Sequence, residues 1–564
     1  MSLRDRHEGV REDSLLHGWA QPVDPRPAAT VMLLRDGPDG LEVMMTRRSL
    51  SASFAPGAYV FPGGRLDDAD QHWAAQLSDP GTSADQQLTS AFALAAIRES
   101  FEELGLMLAQ DAVGNWPDSA SIARMDRSGS TPFTETLAKH DLSPALNSIH
   151  WFTHWVTDRD LPKRFDTRFF VAAMPPGQNP VADESEQFEP VWVNPRMALK
   201  RHDEGQFEMV FPTIRTLRHL SNYASAADVL SFASSLDPVA DSRRWHSCPR
   251  AGKLRGEVQR FSENESAYGE LELVCPDGSI HHTLDWQHEP VKLLRYLWRI
   301  TAPNPGRMTG PGTNCYVIGD GDEFVVVDPG PNHAEHLARI AALVTGKLVA
   351  IVCTHSHPDH YPGAAPLREL VGQSNVPILG RLAGPDFNPN WVFEPDRELQ
   401  DDEVLLCGNE RIRMLHTPGH ASNHVCLLLE HDGLLLSGDH ILNGSTTVID
   451  HPDGNMLAYM NSLDRLKAEP AHFILPAHGY VLNEPVAHIE GLIRHRLKRE
   501  AKVLNAVKQA GPATLDELVL LAYDDVDKQL HPVAKRSLTA HLYKLLEEAI
   551  LSFDEPAQQW AVSA

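Results

Sequence analysis

Cysteine is scarce in this chain: six in 564 residues (Cys248, Cys275, Cys315, Cys353, Cys407 and Cys426), none of them in a CxxC pair. That spacing suits neither a disulfide-stapled secreted scaffold nor a cysteine-ligated metal ribbon, and buried reduced thiols are expected instead. Positive charge is also short, with 50 lysines and arginines against 76 aspartates and glutamates and a net charge of −26. A function that rests on one large basic surface for nucleic acid or anionic lipid is therefore disfavoured. No run approaches the roughly 18 consecutive apolar residues of a membrane span. The opening MSLRDRHEGVREDS is charged where a secretory leader needs an apolar stretch. The expectation is a soluble, cytoplasmic protein with no membrane partner.

A chain of this length exceeds what one core supports, so several domains are expected. Residues 1–25 are polar and broken by proline, and read as a mobile arm. Residues 30–35 and 41–46 flank the turn Asp36-Gly-Pro-Asp-Gly40 and read as a hairpin. A polar insertion follows Gly63-Gly64 as far as about Ser90, and residues 91–108 have helical periodicity. Strand-like runs at 168–173 and 191–193 complete an α/β unit over 26–225. Residues 226–290 read as a connecting segment, with 269–274 and a following Pro-Asp-Gly turn expected to form a small hairpin. Over 291–490, short apolar runs end in histidine, aspartate and glycine loops, the pattern of buried strands alternating with helices. Residues 491–564 predict helices at 494–509, after the capping box Thr514-Leu-Asp-Glu517, and at 533–548, then short strands at 550–553 and 560–562. That order is winged-helix-like.

The densest chemistry is in Val352-Cys-Thr-His355-Ser-His357-Pro-Asp359-His360, where four ligand-type residues fall within six positions directly after an apolar run. A histidine pair two apart can converge on one ion, while Asp359 and His360 reach a second nearby. Thr417-Pro-Gly-His420, Leu436-Ser-Gly-Asp439 and Leu475-Pro-Ala-His478 each repeat the scheme of a strand, a bent loop and a ligand-type residue. The order HxHxDH, His, Asp, His resembles the metallo-β-lactamase superfamily. The resemblance implies one zinc ion on His355, His357 and His420, a second on Asp359, His360 and His478, and Asp439 bridging. Such a pair lowers the pKa of a shared water and polarises a carbonyl or phosphoryl oxygen, so no nucleophilic side chain is needed, and Asp359 would orient the water. Asp328, at the end of Val325-Val-Val-Asp328, looks like a support for the ligands.

The resemblance narrows with Asn304-Pro-Gly-Arg-Met-Thr-Gly-Pro-Gly-Thr-Asn314, Thr446-Thr-Val448, Tyr459-Met-Asn-Ser-Leu463 and the winged-helix-like tail, which are similar to the lactamase-β-like protein 2 family. That family implies metal-dependent hydrolysis, of single-stranded RNA in one branch. Asp439 stands where β-lactam-hydrolysing enzymes have another residue, so antibiotic hydrolysis is not expected. Thioester hydrolysis, as in glyoxalase II relatives, remains open.

In the first half, Ala95-Ala-Ile-Arg98-Glu99-Ser-Phe-Glu102-Glu103-Leu-Gly105-Leu106 sets Glu99, Glu102 and Glu103 three and four apart, on one helix face. Three carboxylates there repel one another, a repulsion that Mg²⁺ or Mn²⁺ would relieve. This run matches the REUxEExGU core of the Nudix box. Ser53-Phe-Ala-Pro-Gly-Ala-Tyr-Val-Phe-Pro-Gly-Gly64 before it and Arg164-Phe-Asp-Thr-Arg-Phe-Phe170 after it resemble the coenzyme A diphosphatase branch of that superfamily. The sequence departs from the box where the insertion breaks its GX5E element: Ser90 stands eight before Arg98 where a glutamate belongs, and Glu184 and Glu186 are candidates to replace it. Arg98 would hold the helix to its loop, and Arg47 and Arg48 are candidate phosphate contacts.

The sequence therefore predicts a multidomain α/β and α+β chain: a Nudix fold, an αββα metallo-β-lactamase sandwich and a winged-helix-like tail. The expected function is a bifunctional metal-dependent hydrolase. Its N-terminal half would use Glu99, Glu102 and Glu103 with Mg²⁺ or Mn²⁺ on a diphosphate such as coenzyme A or a nucleotide-like substrate. Its C-terminal half would use two Zn²⁺ and Asp359 on a thioester or related ester, acyl-CoA being the substrate that suits both. The alternative is a metal-dependent endoribonuclease whose Nudix half only binds nucleotide or RNA, served by the local basic stretch Arg494, Arg496, Lys498 and Arg499.

Overall fold

The computed structural model describes residues 9–52, 55–183, 187–385, 388, 391 and 393–563. These form two compact units, Val23–Pro249 and Arg250–Ala564, the latter joined by the segment that ends at Pro22. Among the described residues no helix is long and apolar enough to cross a membrane.

The N-terminal unit is built on an eight-stranded mixed sheet. Along it run Trp245–Ser247, Ile149–Val156, Phe165–Ala173, Arg26–Gly37, Gly40–Arg48 and Tyr59–Val60; Gly63–Arg65 pairs with Arg26–Gly37, and Gln187–Val193 with Gly40–Arg48. The expected hairpin is present, with Leu34 opposite Val43 and Gly37 opposite Gly40. Side chains of the first strand alternate between the faces. Val31 and Leu33 enter a core with Phe92, Ile97 and Phe101 of the helix Ala84–Leu104. Met32 and Leu34 enter another with Leu217, Leu220 and Val229. The helix starts earlier than its apolar periodicity predicts because Ser83 and Gln86 form a capping box in the polar insertion. It stops at Leu104 because Gly105 takes a left-handed φ of +62°.

The segment 226–290 is not one connection. Its first part, the helix Ala226–Ser234 and the edge strand Trp245–Ser247, belongs to the N-terminal unit, while Arg250 onward belongs to the C-terminal unit. Residues 269–274, expected as a strand, lie in the helix Tyr268–Val274. A strand would have turned Glu270 to the face opposite Leu271 and Leu273. The helix instead buries all three, because Glu270 is paired inside with Arg299 and hydrogen-bonded to His282 at 2.9 Å. The segment 9–22, expected as part of a mobile arm, is anchored. Leu15 is buried, Arg11 Nε and Nη2 reach the Asp432 carboxylate at 2.9 and 2.8 Å, and Ser14 and Tyr296 donate to the same carboxylate.

The C-terminal unit packs two sheets face to face between helices. One orders Val291–Leu294, Leu297–Thr301, Asn314–Ile318, Glu323–Val327, Lys347–Val352, Ile378–Gly380 and Arg397–Glu398; the other orders Val404–Cys407, Glu410–His416, Val425–Leu429, Leu434–Gly438, Phe473–Pro476 and Leu482–Asn483. Strict alternation makes the layers. Val325, Val327, Leu427 and Leu429 meet in the central core, Phe324 and Val326 face the helix Ala334–Leu343, and Cys426 and Leu428 face the helix Met456–Lys467. Beyond the sandwich lie the helices Pro485–Ala510, Leu515–Ala522 and His531–Glu547 and the hairpin of Leu551–Asp554 with Gln559–Val562.

Candidate metal centre and glutamate cavity

Every residue of the histidine and aspartate constellation sits just past the C-terminal end of a buried strand. His355 to His360 follow Lys347–Val352, His420 follows Glu410–His416, Asp439 follows Leu434–Gly438, and His478 follows Phe473–Pro476. Two groups result. His355, His357, His420 and Asp439 converge with ligand atoms within 4.8 Å of one another, and Asp359, His360 and His478 do the same. Asp439 faces both, its Oδ2 lying 3.5 Å from His420 Nε2 and its Oδ1 3.2 Å from His478 Nε2 and 3.6 Å from His360 Nε2.

The ring orientations are set from behind. His420 Nδ1 donates to the Val448 carbonyl at 2.6 Å and His478 Nδ1 to the Gly312 carbonyl at 3.1 Å. A carbonyl can only accept, so each ring carries a proton on Nδ1, which leaves Nε2 as the nitrogen turned toward the site. His360 Nδ1 donates to Asp328 Oδ2 at 2.9 Å, and His355 Nδ1 meets Thr354 Oγ1, which itself donates to Asp328 Oδ2 at 2.8 Å. Asp328 thus holds one histidine of each group, from a strand end with φ of +49°.

These residues fit a pair of cations. His360 Nε2 and Asp439 Oδ1 are buried with no hydrogen-bond partner. His357 Nδ1 lies 2.9 Å from His355 Nε2 and 3.0 Å from His420 Nε2, so three nitrogens crowd one point where a single proton could serve only one contact. Burial first, then the neighbouring imidazoles, hold His355 well below the usual histidine range and bring His357 down to about 3, which keeps both as neutral donors. In the second group burial opposes charge, but the carboxylates prevail: Asp439 and Asp359 raise His478 to about 10, and Asp359, Asp328 and Asp439 raise His360 strongly. Protons occupy there the place of a cation.

The glutamate helix lines a cavity of about 1070 Å³ within the N-terminal unit, with Glu99, Glu102 and Glu103 along one part of the wall and Arg26, Arg48, Arg65, Arg127 and Lys163 elsewhere. Glu103 Oε2 accepts from Gly63 N at 2.9 Å and Oε1 from Gln187 Nε2 at 2.8 Å. Arg98 Nη1 donates to Glu99 at 2.8 Å and Glu102 at 3.0 Å, and Nη2 donates to the Arg65 carbonyl and Asp70, so this arginine ties the helix to its loop. A Cβ on Gly64 would come within 2.2 Å of Glu99 Oε1; only glycine lets that carboxylate approach the backbone. Among the described residues the three glutamates do not form a third converging group. They are nonetheless short of positive charge. Burial pushes Glu103 up to about 8, and burial with the repulsion of Glu102 outweighs Arg98 to bring Glu99 to about 7. Arg48 lines the cavity, whereas Arg47 pairs with Glu189 on the surface. Glu184 and Glu186 lie outside the described residues.

Residues 308–478 match the Metallo-beta-lactamase superfamily and residues 514–560 the Beta-lactamase associated winged helix domain. A Beta-lactamase-like protein 2 homolog from Drosophila melanogaster is 31% identical over 281 residues, covering 48% of this chain and 94% of that relative. The chain belongs to the metallo-beta-lactamase superfamily. An Atrochrysone carboxyl ACP thioesterase from Aspergillus chevalieri is 31% identical over 261 residues, 44% of this chain and 79% of that relative. Among solved structures, a NUDIX hydrolase from Alicyclobacillus acidocaldarius is 30% identical with a TM-score of 0.33, covering 37% of this chain and 96% of its own.

For this metallo-beta-lactamase superfamily hydrolase, the ligand-type residues were readable from sequence but their bracing was not. Thr313 Oγ1 donates to Asp359 Oδ2 at 3.1 Å and is itself held by Asn304 at 3.0 Å. Both lie in the Asn304–Asn314 motif and carry no signal of their own beyond it. Val448 and Gly312 act through backbone carbonyls, which no residue type announces. In the glutamate cavity Gln187 and Asp70 were missed for the same reason: each is recognisable only by what it touches.

Proposed function

We propose that this chain joins two hydrolases: a binuclear zinc thioesterase in the C-terminal unit and a Nudix-type diphosphate hydrolase in the N-terminal unit. The observation that carries the first reading is Asp439, one oxygen toward each group of ligand atoms, with Oδ1 buried beside His478 and His360. When bound, two zinc ions would make water acidic enough to attack at neutral pH and would polarise a substrate carbonyl. His355, His357 and His420 would hold one, Asp359, His360 and His478 the other, and Asp439 both. The rest is done by the chain. Asp359, braced by Thr313, would orient the attacking water. Asp328, Val448 and Gly312 engage the Nδ1 of His360, His420 and His478 in turn, so that Nε2 is the nitrogen that would meet a cation. The thioesterase named among the relatives supports a thioester, whose acyl carbonyl this arrangement suits.

The second reading is supported by a cavity that carries the carboxylate cluster together with Arg26, Arg48, Arg65, Arg127 and Lys163 and is of a size to take a phosphorylated ligand. Glu99, Glu102 and Glu103 would hold Mg²⁺ or Mn²⁺, which offsets phosphoryl charge when bound. Arg48, Arg65, Arg127 and Lys163 would bind the phosphates of a coenzyme A-like or nucleotide-like substrate. Of the basic stretch that the ribonuclease alternative would use, Arg496 is buried and Arg499 is held by the Ala522 carbonyl and Asp525, while Arg494 and Lys498 are exposed.

Mass spectrometry of acyl-CoA products tests both readings. Glu103→Gln should leave free acid and coenzyme A as products, and His420→Ala acyl-phosphopantetheine with adenosine 3′,5′-bisphosphate. Neither product pair, together with cleavage of single-stranded RNA that depends on His420, would overturn the proposal in favour of the ribonuclease.

A further inference from the structure

A single loop, residues 447–455, lies between the two ligand groups and the C-terminal tail. On its inner side it reaches the groups through one hydroxyl and backbone atoms. Thr447 Oγ1 donates to the Asp439 carbonyl at 2.7 Å and the His440 carbonyl at 3.0 Å. The Val448 carbonyl accepts from His420 Nδ1 at 2.6 Å, and Asn455 N donates at 2.8 Å to the carbonyl of Gly419, the residue before His420. Gly419 admits no side chain, since at φ of +143° a Cβ there would meet Tyr459 Cα at 2.4 Å.

On its outer side the loop is gripped by the tail. Arg536 makes a two-pronged contact with Asp450 at 2.9 and 2.7 Å, the Tyr543 ring stacks on His451 at 3.6 Å and 11°, and Glu547 accepts from Asn455 Nδ2 at 2.8 Å. These three residues and Ala540 follow the spacing i, i+4, i+7, i+11 along His531–Glu547, so they form one stripe. Ala540 enters the core that holds Tyr459 and Ile489. From the helix Pro485–Ala510, Arg496 Nη2 donates to the Thr447 carbonyl, and its guanidinium lies 5.4 Å above the Tyr459 ring. Arg496 is 4% exposed, so its loss would leave the Thr447 carbonyl without this donor in a place where water cannot readily substitute. The Arg536 pair is exposed, and such pairs contribute little.

We propose that the winged-helix tail sets the geometry of the metal centre through this loop, with Arg496 the positioning residue that fixes the Val448 carbonyl aiming His420 and the Thr447 hydroxyl bracing Asp439. Sequence placed Arg496 in a basic stretch suited to RNA; the structure turns it inward. The inference rests on reading the histidine and aspartate groups as a metal centre.

The test is chelator competition for zinc, together with the visible absorption of the cobalt-substituted protein, in the full-length chain. Arg496→Met keeps the apolar length over Tyr459 and removes the donor. It should weaken zinc binding by about tenfold or more and alter the cobalt spectrum, as loss of outer bracing does elsewhere. Arg496→Lys, which restores a donor, should recover part of both. Arg536→Glu, an exposed change that sets like charge against Asp450, should act in the same direction by a smaller factor and keeps the test open if the buried variant does not fold. Zinc affinity and cobalt spectrum unchanged in Arg496→Met would overturn the proposal, and so would a lowered melting temperature of the metal-free protein with unchanged zinc affinity, since that marks a purely structural role. If the parent protein itself bound no metal, the metal reading would fall, and this inference with it.

Discussion

Replacing Asp328 by asparagine should weaken one half of the metal centre much more than the other. Asparagine has almost the same shape and tolerates the φ of +49° at this position, whereas alanine would add backbone strain to the effect. Three donors converge on the carboxylate: Thr354 N at 2.8 Å on Oδ1, and Thr354 Oγ1 at 2.8 Å with His360 Nδ1 at 2.9 Å on Oδ2. With the amide oxygen kept toward Thr354 N, the new NH₂ faces the other two. The threonine hydroxyl can rotate and accept. His360 can accept only by moving its proton from Nδ1 to Nε2, which blocks the nitrogen that points into the site. The choice is between a buried donor facing a donor, a cost of about 1–3 kcal/mol, and a lost ligand. Either route weakens the group of Asp359, His360 and His478 by about 10–100-fold, or about 1.4–2.7 kcal/mol. Titration of the metal-free protein with zinc should then show one tight site and one weakened site. Two sites of unchanged affinity would refute the role of Asp328.

Asp439→Ala should cost more than Asp328→Asn in both occupancy and turnover, because Asp439 faces both groups; equal or smaller losses, read by metal analysis and thioester hydrolysis, would contradict that. Glu103→Gln should stabilise the metal-free N-terminal unit increasingly as pH rises from about 4.5 to about 8. The folded state keeps a proton on Glu103 up to about pH 8 that the unfolded chain releases near 4.5, so stability falls as pH rises through that window by roughly 1.4 kcal/mol per unit, and glutamine removes the fall. Hydrogen-exchange protection of the helix Ala84–Leu104 at pH 5 and pH 9 measures it, and equal gains at both would sink the argument. Glu102→Gln should abolish diphosphate hydrolysis and spare the thioester reaction, since the two sites lie in separate units; joint loss without unfolding would show the sites to be coupled.

The convergence of the C-terminal histidines and aspartates was legible in sequence because they are ligand-type residues in dense, ordered spacing, each following an apolar run that reads as a strand. The same logic located the glutamate helix by its three- and four-residue spacing. It failed at 269–274, where Leu271 and Leu273 mimic strand alternation and only the tertiary partner Arg299 explains a fully buried Glu270. It failed at the N-terminal segment, where Arg11 looks like surface charge until Asp432 is seen beside it. The bracing by Val448 and Gly312 was invisible for a further reason: backbone carbonyls are present at every position, and only the fold selects which ones point at a histidine.

Metal content is the measurement closest to the central claim. Protein purified without added metal and analysed by inductively coupled plasma mass spectrometry should carry about two transition-metal ions per chain, zinc foremost, with His355→Ala and His478→Ala each reducing the count. No more than traces of zinc, iron or manganese in folded parent protein, or a count indifferent to both substitutions, would contradict the account.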